Sequence, residues 1–307
     1  MLRKLCISNG KLAESDSDKT LPLVNVYIAP TEAEKKELVE LYKIDEHTLN
    51  SALDPDELSR LEFEPDHVAL IYKRPKHYSA EDNFLFKVDS TGVFMFSDRL
   101  IIVMDEDAPL FEGKSFLKIQ TTQDIILRII YRSVSHFLEH LRGMSMLSAS
   151  IEHLINTALE NKYLLNLFTL EKSLVYYINA INSNSVLIER MRHNAAKLGF
   201  TPENIEFLDD LAIENSQCRE QAQTYSHVLA GLMDARASIV SNNLNIRIKA
   251  LTILTIAIML PTLIVSVFSM NVRIPFAHEN PVSFWIITSL AGLSSSLIAV
   301  MWWYKKW

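Results

Sequence analysis

The chain has 307 residues, of which 49% are apolar, and it carries a formal net charge of −7 at pH 7. This length allows about two domains, and the acidic balance argues against a nucleic-acid partner, which requires a basic face. The two cysteines, Cys6 and Cys218, are too few for a disulfide scaffold and favour a reducing compartment, and the widely spaced glycines exclude nucleotide-binding loops.

Residues 1–121 have the pattern of an α+β domain in the cytoplasm. Residues 1–20 are polar and are predicted to be frayed at the start, and residues 1–10 contain no apolar run of signal-peptide length. Helices are predicted from the capping box that begins at Thr31, over Asp45–Leu53 and from Asp54-Pro55. Strands are predicted at 23–28, 68–73, 84–88, 93–96 and 100–104, with turns at Gly92 and at Asp98-Arg99. Together these elements indicate an antiparallel or mixed sheet covered by helices.

From residue 122 the pattern changes to helical periodicity with almost no Gly or Pro, which predicts a helical stalk domain over 122–249. Gly143 predicts a break or joint in its first part, and residues 194–202 predict a connection. The next helix is predicted to run from Glu203 to Asn271 without interruption. Such a helix would be roughly 100 Å long, so we expect a bundle or an oligomer to shelter it.

The predicted stalk contains one motif that is typical of an enzyme. His136-Phe-Leu-Glu139-His140 matches the His-x-x-Glu-His pattern, which places two imidazoles one helical turn apart as zinc ligands, with Glu as the base of a hydrolase. No third ligand and no other hydrolase signature accompanies it. We therefore interpret these residues as a polar helix face and expect that the protein is not an enzyme.

Two uncharged segments near the C-terminus predict transmembrane helices. Residues 250–268 have the length that a helix needs to cross a membrane, and residues 282–304 form a second span after a turn-rich external loop at 269–281. Arg247 and Lys249 precede the first span, and Lys305 and Lys306 lie in a basic tail at 305–307. The positive-inside rule then predicts a multi-pass protein of the cell (inner) membrane with both termini in the cytoplasm.

The first span carries a stripe of small and polar side chains at alternating steps of three and four residues. Its members are Thr252, Thr255, Met259, Thr262, Ser266 and Ser269, and the spacing continues backwards through Ile248, Asn245, Ser241, Ser238, Asp234 and Gly231. In one interpretation the hydroxyl groups only allow helices to pack closely and bond to backbone carbonyls. In the other, several copies turn the stripe to a common axis and line a polar tube, with apolar collars at Met259 and Ile248 and an acidic ring at Asp234.

The end of this span carries the most specific motif. Phe268-Ser269-Met270-Asn271 follows Met259-Leu-Pro261-Thr262 on a long helix that precedes a second span. This arrangement resembles the CorA family of divalent-cation channels, whose signature is Gly-Met-Asn, and the resemblance covers almost the whole chain. It implies a homopentameric funnel in which the first span lines the pore, the second forms an outer ring, and Ser269, Met270 and Asn271 form the selective mouth.

The resemblance also implies how the flux is regulated. Asp210, with its neighbour Asp209, falls where the family places a carboxylate of a cytoplasmic Mg²⁺-sensing site between subunits, and Lys305 and Lys306 resemble its basic collar. We therefore expect passive flux of Mg²⁺, and also of Co²⁺ or Ni²⁺, gated by the cytoplasmic cation. The cation is then both substrate and regulatory ligand, no other cofactor is expected, and the partners are further copies of the chain and the lipid bilayer.

Two departures from the family pattern keep alternatives open. Ser269 replaces the signature glycine. The external loop carries Arg273 near the mouth, and Glu279 is the only carboxylate in the sequence of this loop. The first alternative is a ZntB-like transporter of Zn²⁺ or another transition metal. The second is a membrane-anchored coiled-coil scaffold that conducts nothing, which explains the long helix but not the stripe of hydroxyl groups.

Overall fold

The computed structural model describes residues 1–8, 10–14, 23–111, 116, 119–157, 161–270 and 281–305. Two compact units are present, Met1–Met233 and Asp234–Trp307. The strands are β1 (Leu2–Ser8), β2 (Lys11–Glu14), β3 (Leu23–Ile28), β4 (Arg60–Phe63), β5 (Val68–Pro75), β6 (Val88–Met95) and β7 (Arg99–Met104). The helices are α1 (Glu32–Glu40), α2 (Glu46–Ala52), α3 (Thr122–Thr157), α4 (Asn161–His193), α5 (Pro202–Phe268) and α6 (Pro281–Lys305).

The first unit is built on a mixed sheet of seven strands in the order β2-β1-β3-β7-β6-β5-β4. Only β3 and β7 are parallel among these neighbours, and each other pair is antiparallel. The strands alternate between two cores because successive side chains point to opposite faces. In β5, for example, Ile71 joins the core beneath α1 and α2, and Tyr72 joins the larger core beneath the long helices. The predicted α+β domain with a mixed sheet is confirmed.

The prediction that the chain is frayed at its start is wrong, because this segment forms two strands. β1 pairs with β3 from Leu2–Tyr27 to Cys6–Leu23, and β2 pairs with the other edge of β1. Leu5 is 4% exposed. β1 lies between β2 and β3 and is stabilised by backbone pairing on both sides, so its own composition gives a weak signal.

Local capping signals predicted the small helices correctly where a complete motif is present. Thr31 and Glu34 form the predicted capping box, with the Thr31 N–H donating to the Glu34 carboxylate at 2.7 Å and the Glu34 N–H to the Thr31 hydroxyl at 3.3 Å. Asp45 caps α2 by accepting the Thr48 N–H at 2.9 Å. The helix predicted from Asp54-Pro55 is wrong: Asp54 accepts the Asp56 N–H at 2.9 Å within a turn, and β4 follows.

The predicted turn at Gly92 is also wrong, because Gly92 lies inside β6. It is opposite Ile71 of β5 and Val103 of β7. A Cβ placed on Gly92 would lie 2.4 Å from the Cβ of Ala52, so the glycine provides the space that the end of α2 occupies. The strand expected at 84–88 is wrong as well, because Phe84 has a φ of 68° and the chain turns there before β6 begins at Val88.

The long helices agree with the predicted periodicity, except that Gly143 does not break α3. α5 begins at Pro202, after Thr201 and Asn204 exchange backbone-to-side-chain hydrogen bonds of 3.1 and 3.2 Å, and it continues to Phe268 over 67 residues. The predicted start at Glu203 is therefore accurate to one residue. Asn271, the predicted end of this helix, lies outside the described residues.

One side chain of α4 completes the hydrogen bonding of the sheet. The pairing of β4 with β5 stops at Ile71, so among the described strands none neighbours Lys73 on that side of β5. The buried Asn184 accepts the Lys73 N–H and donates to the Lys73 carbonyl, both at 2.8 Å, and it accepts the Ser59 hydroxyl at 2.9 Å. Because buried backbone groups need partners, this amide attaches α4 to the edge of β5.

Candidate functional site

The stripe predicted on the first span is exposed along its length. Its six members from Thr252 to Ser269 are all exposed, whereas Ile253, Ala257, Pro261, Ile264 and Phe268 are half-buried. At 100° per residue, the two sets are centred about 170° apart on the helix. The half-buried residues of α6 also recur with helical spacing, and this part of α5 belongs to the same compact unit as α6, from which we infer that the two helices pack through these faces. The stripe therefore lies on the side of α5 that is turned away from α6.

The hydroxyl groups of the stripe bond to their own helix. Thr252, Thr255 and Thr262 donate to the carbonyls four residues earlier at 2.8, 2.8 and 2.7 Å. A hydroxyl has one hydrogen and two acceptor lone pairs, so the side-chain oxygen keeps its acceptor capacity after this bond is made. The backbone bonding of the packing interpretation is thus present, and it leaves a row of oxygen acceptors on the exposed face.

Ser269 ends α5 without the left-handed conformation that a glycine would favour at this position. Its N–H donates to the carbonyls of Val265 and Ser266 at 3.1 and 3.2 Å, and its hydroxyl donates to the Ser266 carbonyl at 2.9 Å. Ser269 is not among the residues with positive φ. The helix end is therefore closed by short-range bonds that do not require a positive φ, and the serine adds one from its hydroxyl.

Pro261 interrupts the backbone hydrogen bonding of α5 on the half-buried face. It lacks the N–H that would donate to the Ala257 carbonyl, yet the helix continues to Phe268. On the exposed face, the Thr262 hydroxyl donates to the Ile258 carbonyl across the same turn. The proline thus belongs to the side that packs on α6.

The remaining predicted pore residues of this unit are also exposed. Ile248 and Met259, the expected apolar collars, have exposed fractions of 54% and 64%. Asp234 and Asn245 are exposed on α5, and their side chains have no hydrogen bond or ion pair to any other part of the chain that the structure describes. None of the described residues of this unit therefore covers the face that the sequence assigned to the pore.

The two carboxylates of the predicted sensing site differ in their surroundings. Both lie exposed on α5, in the first unit. Asp209 forms an ion pair with Arg192 of α4 at 3.6 Å. Asp210 makes no ion pair or hydrogen bond with the described residues. Of the two carboxylates, Asp210 is therefore the one available to bind a cation from the surrounding solvent.

Some predicted site residues lie outside the part of the chain that the structure describes. These are Asn271, Arg273, Glu279 and Lys306, and the side chain of Lys305.

The enzyme-like motif on α3 is used for packing. Glu139 forms an ion pair with Arg132 at 2.9 Å, and His140 Nδ1 shares a 2.6 Å hydrogen bond with the hydroxyl of Tyr177. Burial lowers the pKa of His136 to about 4 and that of His140 to about 3, so both are neutral at pH 7. Within the described ranges no group of three His, Cys, Asp or Glu side chains is placed to hold a metal.

Sequence reasoning missed a buried charged cluster in the sheet. Arg74 and Asp89 are 3% and 1% exposed in their side chains and form an ion pair at 3.1 Å, and Lys76 lies 3.8 Å from the same carboxylate. Burial raises the pKa of Asp89, and the two cations oppose this effect. Charged residues within otherwise apolar strands were the available signal, because such charges are seldom buried without partners.

Almost the whole chain is similar to known proteins. The family described as CorA-like Mg²⁺ transporter protein matches residues 26–306. The cobalt/magnesium transport protein CorA of Methanocaldococcus jannaschii is 26% identical over 276 residues, which are 82% of each chain. The complete structure of the CorA magnesium transporter from that organism has a TM-score of 0.82 and 18% identity, and the match covers 98% of this chain and 97% of that chain. The ZntB cytoplasmic domain of Vibrio parahaemolyticus has a TM-score of 0.61 and 11% identity, over 78% of this chain and 98% of that chain. At these identities the two structural matches concern the fold alone.

Proposed function

The chain belongs to the family of CorA-like Mg²⁺ transporter proteins, and from this premise we propose that it is a channel that conducts divalent cations along the exposed face of α5. The family assignment confirms the resemblance predicted from the sequence. The likeness to a full-length CorA structure and the two helices long and apolar enough to cross a membrane support the expected architecture. Membership in a family of transporters also fits the expectation that the chain is not an enzyme.

One observation carries the proposed pathway. The stripe from Thr252 to Ser269 is exposed on the side of α5 opposite the face that packs on α6. A helix surface rich in hydroxyl groups is unfavourable against lipid unless it meets other polar groups or water. Several copies of α5 with the stripe turned to a common axis would satisfy this need and enclose a polar tube.

The chemistry of the stripe suits a hydrated divalent cation. Mg²⁺ gives up its water reluctantly, and the hydrogens of its bound water molecules point outward. The threonine hydroxyls each use their hydrogen on the helix backbone, so their oxygens present acceptors to such hydrogens. Exposed Met259 and Ile248 would form the narrow apolar collars at which the pore can close.

The assembly that this pathway requires is a homopentamer with α5 inside and α6 outside. Both termini would lie in the cytoplasm, and five Asn271 carboxamides would surround the outer mouth. The names of the relatives favour Mg²⁺ or Co²⁺ as cargo. The serine at position 269 is compatible with a helix end at the mouth, because its bonds close α5 without positive φ.

The pathway is tested by removing hydroxyl groups from the stripe. Thr252→Val combined with Thr255→Val keeps the shape of both side chains but removes both oxygens. We expect Mg²⁺ uptake by proteoliposomes to fall by about tenfold or more, since each lost acceptor weakens a contact of about 1 kcal/mol at the narrow part of the pathway. Thr288→Val on α6 is the matched control, because Thr288 makes the same 2.8 Å bond to a carbonyl four residues earlier.

Two outcomes of this assay would contradict the proposal. Equal loss of uptake in the α5 and α6 variants would show that the stripe has no special role, and uptake no faster than in empty vesicles for the wild-type protein would favour the scaffold alternative. Competition among Mg²⁺, Co²⁺, Ni²⁺ and Zn²⁺ in the same vesicles identifies the cargo. Exclusive transport of Zn²⁺ would favour the ZntB-like alternative.

Regulation by the cytoplasmic cation is proposed to act through Asp210. Asp209 is already paired with Arg192, whereas Asp210 has no partner among the described residues. Asp210→Asn should therefore shift the internal Mg²⁺ concentration that inhibits flux upward by about tenfold, the effect of one lost charge contact of about 1.4 kcal/mol. Asp209→Asn should shift it much less. An equal shift in both variants, or none in Asp210→Asn, would exclude this site.

A further inference from the structure

The first unit contains a cavity of about 770 Å³ that the proposed ion pathway does not use. It lies between α4, the segment 55–59 and the residues at the ends of β5 and β6. Its volume is in the range of cavities that bind small organic molecules. The lining combines ammonium groups with apolar side chains.

Lys73 is a buried cation in the lining of this cavity. It is 4% exposed, and its ammonium group donates to the Pro55 carbonyl at 2.6 Å and to the Ser90 hydroxyl at 2.8 Å. An ammonium group has three hydrogens, so one donor is left without an acceptor among the described residues. No carboxylate lies within 4.0 Å of it there.

This arrangement of Lys73 is unusual, because buried charges are normally paired with an opposite charge. Burial lowers the pKa of Lys73, and carboxylates at longer distance, those of Asp54 and Asp56 first among them, oppose the effect. The two neutral oxygens hold the ammonium group in place but do not neutralise it. An anion in the cavity would supply the missing partner.

The other polar groups of the lining favour the same kind of ligand. Lys87 is exposed and makes no ion pair with the described residues, whereas Lys76 is already shared among Asp89, Asp105 and Glu106. The buried Ser183 hydroxyl accepts the Ser59 N–H at 2.6 Å, which leaves its own hydrogen available to an acceptor. Asp56 is the one carboxylate of the described lining.

The mouth of the cavity is apolar. Leu58, Tyr176 and Val186 line it and have exposed fractions of 68%, 42% and 52%. Large apolar side chains grouped around a polar interior are typical of sites that bind a ligand with a polar head and an apolar body. An inorganic ion would leave most of this surface uncovered.

We propose that this cavity binds a small organic anion, with a phosphate or carboxylate group at Lys73 and Lys87 and a ring or apolar body against Leu58, Tyr176 and Val186. Such a site would be occupied from the solvent around the first unit, independently of ion flux. The proposal does not depend on the proposed channel function.

Isothermal titration calorimetry on the full-length protein in detergent tests the proposal at constant free Mg²⁺. The probes are phenyl phosphate, phenylacetate and inorganic phosphate. We expect at least one aromatic anion to bind more tightly than inorganic phosphate, because only the aromatic probes reach the apolar mouth. Lys87→Gln and Tyr176→Ala, both at exposed positions, should each weaken its binding, and Lys73→Met should weaken it by about tenfold or more.

Lys36→Gln is the matched control, since Lys36 is an exposed lysine on α1 and does not line the cavity. Its affinity for the probes should equal that of the wild-type protein. Two results would overturn the proposal: no binding of either aromatic anion up to about 10 mM, or the same affinity in Lys87→Gln and Tyr176→Ala as in Lys36→Gln. Preference for phenyl phosphate over phenylacetate would identify the head group as phosphate. If Lys73→Met does not fold, the two exposed variants decide the result.

Discussion

Asn184 should be among the residues on which the stability of the first unit depends most. Its amide makes three hydrogen bonds of 2.8 to 2.9 Å, two with the backbone of Lys73 and one with the hydroxyl of Ser59. In Asn184→Leu the Lys73 carbonyl keeps the hydroxyl of Ser133 at 2.8 Å, but the Lys73 N–H and the Ser59 hydroxyl lose their acceptor. Both groups lie in a buried site.

The expected magnitude follows from these two orphaned donors. Each buried donor without a partner costs about 1–3 kcal/mol, and the added apolar contact of leucine offsets part of the loss. We expect the free energy of unfolding to decrease by about 3 kcal/mol. The measurement is urea-induced unfolding of the fragment 1–233, followed by circular dichroism.

Asn182→Leu is the matched control for this experiment. Asn182 lies on the same helix, is half-buried, and makes no side-chain hydrogen bond with the described residues. Its substitution should change the free energy of unfolding by less than about 1 kcal/mol. A loss in Asn184→Leu that is no larger than the loss in Asn182→Leu would refute the argument that this amide completes the edge of β5.

Two further predictions concern the same unit and use the same unfolding measurement. Gly92→Ala should destabilise this unit by about 1–3 kcal/mol or more, because the new Cβ would overlap α2. The control Gly143→Ala, whose new Cβ meets no atom within 4 Å, should stabilise the unit by about 0.5–1 kcal/mol. Similar effects of both substitutions would contradict the packing described for β6. Burial lowers the pKa of His136 to about 4 and that of His140 to about 3, so between pH 6.5 and these values the unfolded chain binds more protons than the folded one and stability should decrease as the pH falls. Replacing both histidines with Gln should reduce this pH dependence, whereas the exposed His227→Gln should not; an unchanged slope in the double variant would show that other groups cause the acid sensitivity.

The predictions that the structure confirmed rest on signals within a short segment. The capping box of Thr31 and Glu34 and the cap at Asp45 each involve residues three positions apart, so the sequence places the partners together as soon as a helix forms. The same holds for the start of α5 at Pro202 and for the bonds of the threonine hydroxyls in its last turns.

The predictions that failed depended on distant segments. Gly92 is typical of a turn when its neighbours alone are considered. In the structure a glycine is needed there because Ala52, forty residues earlier in the chain, packs against it. β1 is formed by backbone pairing with β2 and with the more distant β3. The helix expected at Asp54-Pro55 is replaced by a turn that leads into β4. Neither the closing of a sheet edge by Asn184 nor the cavity at Lys73 has a local signature.

The sequence by itself determined the features that depend only on composition and on the spacing of residues along the chain. An uncharged segment of membrane-spanning length and a seven-residue repeat of hydroxyl groups are properties of composition and helical spacing, and they already indicated the membrane spans and the polar stripe. Only the tertiary structure decided which face of α5 packs on α6, which of Asp209 and Asp210 is paired, and where a buried lysine lacks an anion. These outcomes depend on contacts between segments far apart in the chain, whose partners no local pattern specifies.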